Sequence, residues 1–89
     1  AVSPDGQSIY LTDTGNKRVL RFDPQGNLLK TWGGEGTKPG EFIEPVGIAV
    51  DAEGRVVVVD TGNRRLQVFD ADGNYQSEIR VSGWEEFYS

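Results

Sequence analysis

The 89-residue sequence contains neither cysteine nor histidine. Without cysteine, no disulfide can staple the modest core that a chain of this size builds. Without either residue, a zinc site of the usual kind has no ligands, and c-type haem attachment and histidine-activated Ser or Cys nucleophiles are excluded. Basic residues are scarce as well: nine Lys and Arg stand against 14 Asp and Glu, a net charge of -5. That balance opposes the phosphates of a nucleic acid and an anionic membrane surface. The longest apolar run, Val56-Val57-Val58-Val59, falls far short of the ~20 residues that span a bilayer. No basic segment followed by an apolar one opens the chain. The chain is expected to be soluble, with neither nucleic acid nor membrane among its partners. The lack of cysteine suits either side of a membrane, so localisation stays open.

What the sequence does have is a repeat. Ala1-Val2-Ser3-Pro4-Asp5-Gly6 aligns with Ala49-Val50-Asp51-Ala52-Glu53-Gly54. After one skipped residue, Asp13-Thr14-Gly15-Asn16 falls on Asp60-Thr61-Gly62-Asn63, Arg18 on Arg65, Phe22-Asp23 on Phe69-Asp70, and Gly26-Asn27 on Gly73-Asn74. The identities cluster at turns, where backbone geometry is least forgiving.

In the second copy, apolar runs alternate with Gly-containing turns. Strands are predicted over 46–50, 56–60, 65–70 and 75–81, with hairpin turns at Ala52-Glu53-Gly54-Arg55, Thr61-Gly62-Asn63 and Ala71-Asp72-Gly73-Asn74. No stretch keeps a helical apolar period for three turns, so no helix is expected. The runs Val56–Val59 and Ile9-Tyr10-Leu11 are apolar on both faces, which demands cover on both. A four-stranded antiparallel meander covered on both faces by copies of itself is a propeller blade, and propeller repeats of ~40 to 50 residues bracket the spacing found here. The fold class is therefore all-β, two four-stranded antiparallel blades forming part of a larger propeller. The first blade spans residues 1–33, with its innermost strand truncated at the start. An inter-blade linker occupies 34–45, the second blade 46–81, and residues 82–89 begin the linker to a next blade.

The segment Val46-Gly47-Ile48-Ala49-Val50-Asp51, then Gly54, Val58-Val59-Asp60, Thr61-Gly62-Asn63-Arg64-Arg65-Leu66-Gln67-Val68-Phe69 and Asp72-Gly73, resembles a complete NHL repeat. Gly40-Glu41-Phe42-Ile43-Glu44-Pro45 resembles the linker between such repeats, and the first copy matches through Asp13–Val19, Phe22-Asp23 and Trp32-Gly33. This resemblance implies a six-bladed ring of which the chain supplies a third. It specifies frame more than function, since NHL-like propellers serve as lyases, lactonases, RNA binders, sensor domains and scaffolds.

Two groups of residues are singled out by the repeat. Asp13, Gly15 and Asn16, with Asp60, Gly62 and Asn63, form equivalent corner turns. Their carboxylates are expected to accept N–H groups of their own turn, with Gly and Asn adopting left-handed conformers. The competing use, calcium held by carboxylates and amides on one rim, would need ligands from further blades. Arg18, Phe22, Trp32, Phe42, Arg65, Phe69, Trp84 and Phe87 are expected to pack between blades. In that reading Arg18 and Arg65 lay their stems there and pair with carboxylates such as Asp13 or Asp60. Lys17-Arg18 and Arg64-Arg65 lack the interleaved aromatics of a nucleic-acid surface. Glu41, Glu44, Glu85 and Glu86 are expected to stay solvated while Phe42, Trp84 and Phe87 plug the gap between blades, the competing use being an acid-aromatic edge that receives a basic partner. Gly33-Gly34-Glu35-Gly36 lacks the following Lys and the strand-to-helix context of a phosphate loop, and reads as linker.

These readings lead to a non-catalytic repeat scaffold with no cofactor and no bound metal. It is expected to bind protein or peptide partners through loops and to join other blades or copies head to tail. Each end blade would leave an apolar flank open, and covering it supplies a drive of order 10 kcal/mol before ordering costs. If the chain is stable alone, three copies closing a six-bladed homotrimer are expected. If it is an excerpt, other blades do so, and the ragged join between Phe87 and Ala1 favours that case. The alternative is one part of an enzymatic or calcium-binding ring of lactonase or lyase type, completed by other blades.

Overall fold

A computed structural model describes residues 1–83. Among them the chain forms seven strands in two antiparallel sheets. The first sheet contains β1 (Ile9–Asp13), β2 (Arg18–Phe22) and β3 (Leu28–Gly33). The second contains β4 (Pro45–Val50), β5 (Val56–Asp60), β6 (Arg65–Phe69) and β7 (Tyr75–Ile79). Sequence neighbours pair throughout, so each sheet is a meander. The expected fourth strand of the first blade is reduced to a single bridge between Val2 and Ile9. Among the described residues no helix is long and apolar enough to cross a membrane.

The hairpins follow from a recurrent Asp-x-x-Gly-x device. Gly26, Gly54 and Gly73 take φ of 87°, 84° and 88°, the left-handed position that closes a three-residue hairpin loop. In each loop the leading Asp folds its carboxylate onto the loop's own amides. Asp23 accepts Gln25 N–H at 3.0 Å and Asn27 N–H at 2.9 Å, and Asp70 accepts Asp72 and Asn74 N–H at 2.9 Å each. Asn27 and Asn74 add side-chain donors, which hold both carboxyls below their ordinary value of 3.8.

Cross-strand register assigns residues to faces, because side chains directly opposite in a ladder share a side. In the second blade Val50, Val56 and Phe69 lie in one row, Ile48, Val58 and Gln67 in the next, and Asp60 and Arg65 on the same side. Val56, Val58, Asp60, Arg65, Gln67 and Phe69 are all buried there. In the first blade the rows Tyr10–Arg21–Lys30 and Thr12–Val19–Trp32 form the facing side. Tyr10, Val19, Phe42, Val56, Val58 and Phe69 make the shared core, with Trp32, Ile48 and Val50 packed against it. The blades therefore meet face to face, with a run of aromatics between them. Trp32 stands 6.1 Å from Tyr10 and 5.6 Å from Phe69, ring to ring, and Phe42 lies 5.9 Å from Phe69.

The two remaining faces are open. On the second blade this side carries Ala49, Val57 and Val68 in one row and Val59, Leu66 and Ile79 in the next. On the first it carries Ile9, Phe22 and Leu28, then Leu11 and Leu20, with Asp13 and Arg18 at the end. Leu11, Leu28 and Ile79 are about half exposed, at 48%, 54% and 49%.

Candidate functional site: the corner turns and the linker they hold

The linker from β3 to β4 crosses the inter-blade side of the second sheet at the β5–β6 corner. A set of polar side chains on that sheet reads its backbone. Asp60, fully buried, accepts Ile43 N–H at 3.1 Å and Glu44 N–H at 2.7 Å, with Asn63 Nδ2 donating at 2.7 Å. Arg65 reaches the opposite polarity: its guanidinium donates to the carbonyls of Thr37 at 3.1 Å, Lys38 at 2.9 Å and Glu41 at 2.9 Å. Gln67 donates to Glu41 O and accepts Gly40 N–H, both at 2.8 Å. Thr61 N–H and Asn63 Nδ2 add bonds to Glu44 O and Gly36 O, each at 3.0 Å. The chemistry is peptide recognition: two consecutive amides meet a carboxylate while several carbonyls meet a planar five-donor fork.

Steric fit completes the clamp. A Cβ on Gly62 would sit 2.5 Å from Ile43 Cβ and 2.9 Å from Glu44 N, so only glycine lets the linker cross this corner. Gly62 itself does not take the left-handed conformation. That role falls on Arg64, with φ of 53°, and on Lys17 in the first blade, with φ of 56°. The expectation that Gly and Asn carry the left-handed conformers is thus corrected: glycine is required here for space. Two further expectations are refined. Asp60 accepts backbone amides of the linker and, from its own turn, only the Asn63 side chain, and Arg65 pairs with Glu78 at 3.0 Å instead of Asp60. Its guanidinium holds the Glu78 carboxyl below the ordinary value of 4.5.

The first-blade corner has the same residues and a different wiring. Asp13 accepts Asn16 Nδ2 at 2.8 Å and Arg18 Nε at 3.0 Å, and these bonds lower its pKa below 3.8. The Arg18 side chain is 43% exposed, against 2% for Arg65. A Cβ on Gly15 would meet nothing within 4 Å. Of the residues expected between blades, Trp32, Phe42, Arg65 and Phe69 lie there, whereas Arg18 and Phe22 lie on the open side of the first blade. Trp84 and Phe87 fall outside the described residues.

A second feature lies at the opposite end of the sheets, among the hairpin loops. A groove of about 310 Å³ runs between the two blades, with Ser3, Asp5, Tyr10, Arg21, Glu53 and Ala71 in its walls. Arg21 spans it, donating to Ser8 Oγ at 2.9 Å and to Ala71 O and Asp72 at 3.1 Å each, with its guanidinium 5.9 Å from the Tyr10 ring centre. Tyr10 also donates to Ala71 O at 3.0 Å. Repeat comparison passed over this pair and Gln67, because Val68, Val57 and Leu20 occupy the counterpart positions. The unbroken apolar run Ile9-Tyr10-Leu11 is the one sequence signal that points at Tyr10.

Residues 2–86 match a family model described as a 6-bladed beta-propeller. Among solved structures the chain is similar to a candidate exported protein from Bacteroides fragilis, with a TM-score of 0.74 and 22% sequence identity. The match covers 85% of this chain, which spans 22% of the length of that one, and the likeness is one of fold. No curated protein matches the sequence. Paired meanders, opposed apolar faces and a matching family model lead to one statement: the chain belongs to the DUF5128 family of 6-bladed beta-propellers.

Proposed function

We propose that the chain is a non-catalytic repeat scaffold of NHL type. Its blades join further blades or copies head to tail to complete a six-bladed ring, and its loops receive a protein or peptide partner. One observation carries this reading. The two open faces repeat the two faces that already pack inside the chain: Val57, Val59, Leu66 and Val68 stand where Tyr10, Thr12, Val19 and Arg21 stand in the first blade, and Ile9, Leu11, Leu20 and Phe22 stand where Val56, Val58, Gln67 and Phe69 stand in the second. Unlike faces meet, so the contact is heterologous and propagates until rotation closes it. The Asp-Thr-Gly-Asn corner, present twice, supports the NHL type. The groove between hairpin loops, spanned by Arg21 and walled by Asp5 and Glu53, offers a partner both a cation and carboxylates to bond.

A mixing experiment tests the head-to-tail contact. Leu66→Glu spoils the open face of the second blade, and Leu11→Glu that of the first. Each variant alone should sediment as a monomer with an unchanged β-sheet circular dichroism spectrum. A 1:1 mixture should form a heterodimer, since each partner keeps one intact face of opposite kind. Failure of the mixture to exceed the monomer mass would refute the reading.

A further inference from the structure

We infer that the joint between copies is aliphatic at its hairpin end, with Val57, Val68 and Ile79 of one copy seated on the Pro24-Gln25-Gly26 hairpin of the next. The inference rests on the head-to-tail reading and adds the chemistry and the register of the contact. The joint inside the chain is the template, because the repeat gives each of its members a counterpart on an open face. Inside the chain, the row Tyr10–Arg21–Lys30 of the first blade faces the second blade, whose β6–β7 hairpin is Asp70-Ala71-Asp72-Gly73. Arg21 donates to Asp72 and to Ala71 O at 3.1 Å each, and Tyr10 donates to the same carbonyl at 3.0 Å. Trp32 covers Gly73 so closely that an added Cβ would stand 2.5 Å from its ring.

Between copies the ion pair and the phenol are absent. Val57 and Val68 stand where Tyr10 and Arg21 stand, Ser77 where Lys30 stands and Ile79 where Trp32 stands; Pro24 and Gln25 take the places of Ala71 and Asp72. Asp23 keeps the place of Asp70, with its carboxylate folded onto Gln25 and Asn27 of its own loop. Two observations mark these surfaces as halves of one contact. Ile79 is 49% exposed, and a Cβ on Gly26 would meet nothing within 4 Å, whereas their counterparts Trp32 and Gly73 lie against each other. The difference in chemistry also fixes the order of blades. A first blade that docked its Arg21 face on another first blade would bring the guanidinium against Pro24 and the neutral amide of Gln25, and so forfeit its Asp72 partner.

Sedimentation of the full chain at low and high NaCl reads the joint. Self-association should hold or tighten as salt rises, because each copy carries a charge of -5 and no ion pair across the joint is screened. The double variant Val68→Arg/Gln25→Asp installs the Arg21–Asp72 pair at its counterpart positions. At low salt it should associate about threefold or more tighter than the two single variants predict together, and that coupling should shrink at high salt. Ile79→Asp should weaken association about tenfold or more, with an unchanged circular dichroism spectrum. Oligomers that weaken with salt, show no coupling between positions 25 and 68, or tolerate Ile79→Asp overturn this register and leave the head-to-tail contact standing. A chain that stays monomeric overturns both.

Discussion

At the scale of single residues, the two corner glycines make opposite demands although the sequence writes them identically. Gly62→Ala forces the linker backbone off the corner, because Glu44 N and Ile43 Cβ lie within 3 Å of the added atom. Overpacking of this kind costs about 1–3 kcal/mol. Gly15→Ala meets open space and should change stability by no more than about 0.5 kcal/mol. Urea denaturation of the two variants beside the parent chain checks the difference, and equal losses would show that the linker does not cross at Gly62 as described. Arg65 illustrates a related point. A guanidinium with 2% exposure is tolerated because three linker carbonyls and Glu78 occupy its terminal N–H donors, with Nε alone buried and unbonded among the described residues. Removing it takes from Thr37 O the donor that Arg65 supplies and from Lys38 O and Glu41 O one of two, the Glu41 N–H and Gln67 Nε2 bonds remaining.

At the scale of elements, the turns that set the hairpins also set the pH response. Asp23 and Asp70 are held below 3.8 mainly by Asn27 and Asn74, Asp5 mainly by Ser3, and Asp13 by Asn16 and then Arg18. Lowered folded-state values mean that the unfolded chain takes up protons first as the solution is acidified. Their contribution is therefore complete above the unfolded values, near pH 5 and higher, and is lost as pH falls through the folded ones. The melting temperature should be level from pH 7 to about pH 5 and decline steadily below pH 4. A combined Asp23→Asn/Asp70→Asn variant should show a shallower decline, measured by thermal circular dichroism; an unchanged slope would mean these carboxylates do not contribute.

The same elements show what the sequence discloses and what it withholds. Hairpins were legible because Asp-x-x-Gly-x is a local instruction, satisfied by four or five consecutive residues. The two-sided covering of β1 and β5 was legible from their unbroken apolar runs. The clamp was not, because it joins Asp60, Arg65 and Gln67 to backbone atoms of a linker 16 to 28 positions away. Any linker sequence offers the same amides and carbonyls, so no side-chain pattern in it announces the contact. The left-handed conformers at Lys17 and Arg64 escaped for a like reason. Gly and Asn stand beside them and are the residues that usually take that conformation, but here Gly62 is needed for clearance and Asn63 for two hydrogen bonds, to Gly36 and Asp60.

At the scale of the whole molecule, the chain is a pair of wedges with one finished joint and two unfinished ones. The finished joint is aromatic and clamped by a linker; each open face is apolar at the positions where its counterpart packs. On the proposed head-to-tail reading, with about 60° of rotation per blade, three copies of this two-blade unit would close a six-bladed ring. Native mass spectrometry of the purified chain at about 10 µM tests this most directly. A dominant species of three subunits, about 29 kDa, is expected. A folded chain that persists as a 9.8 kDa monomer would contradict it.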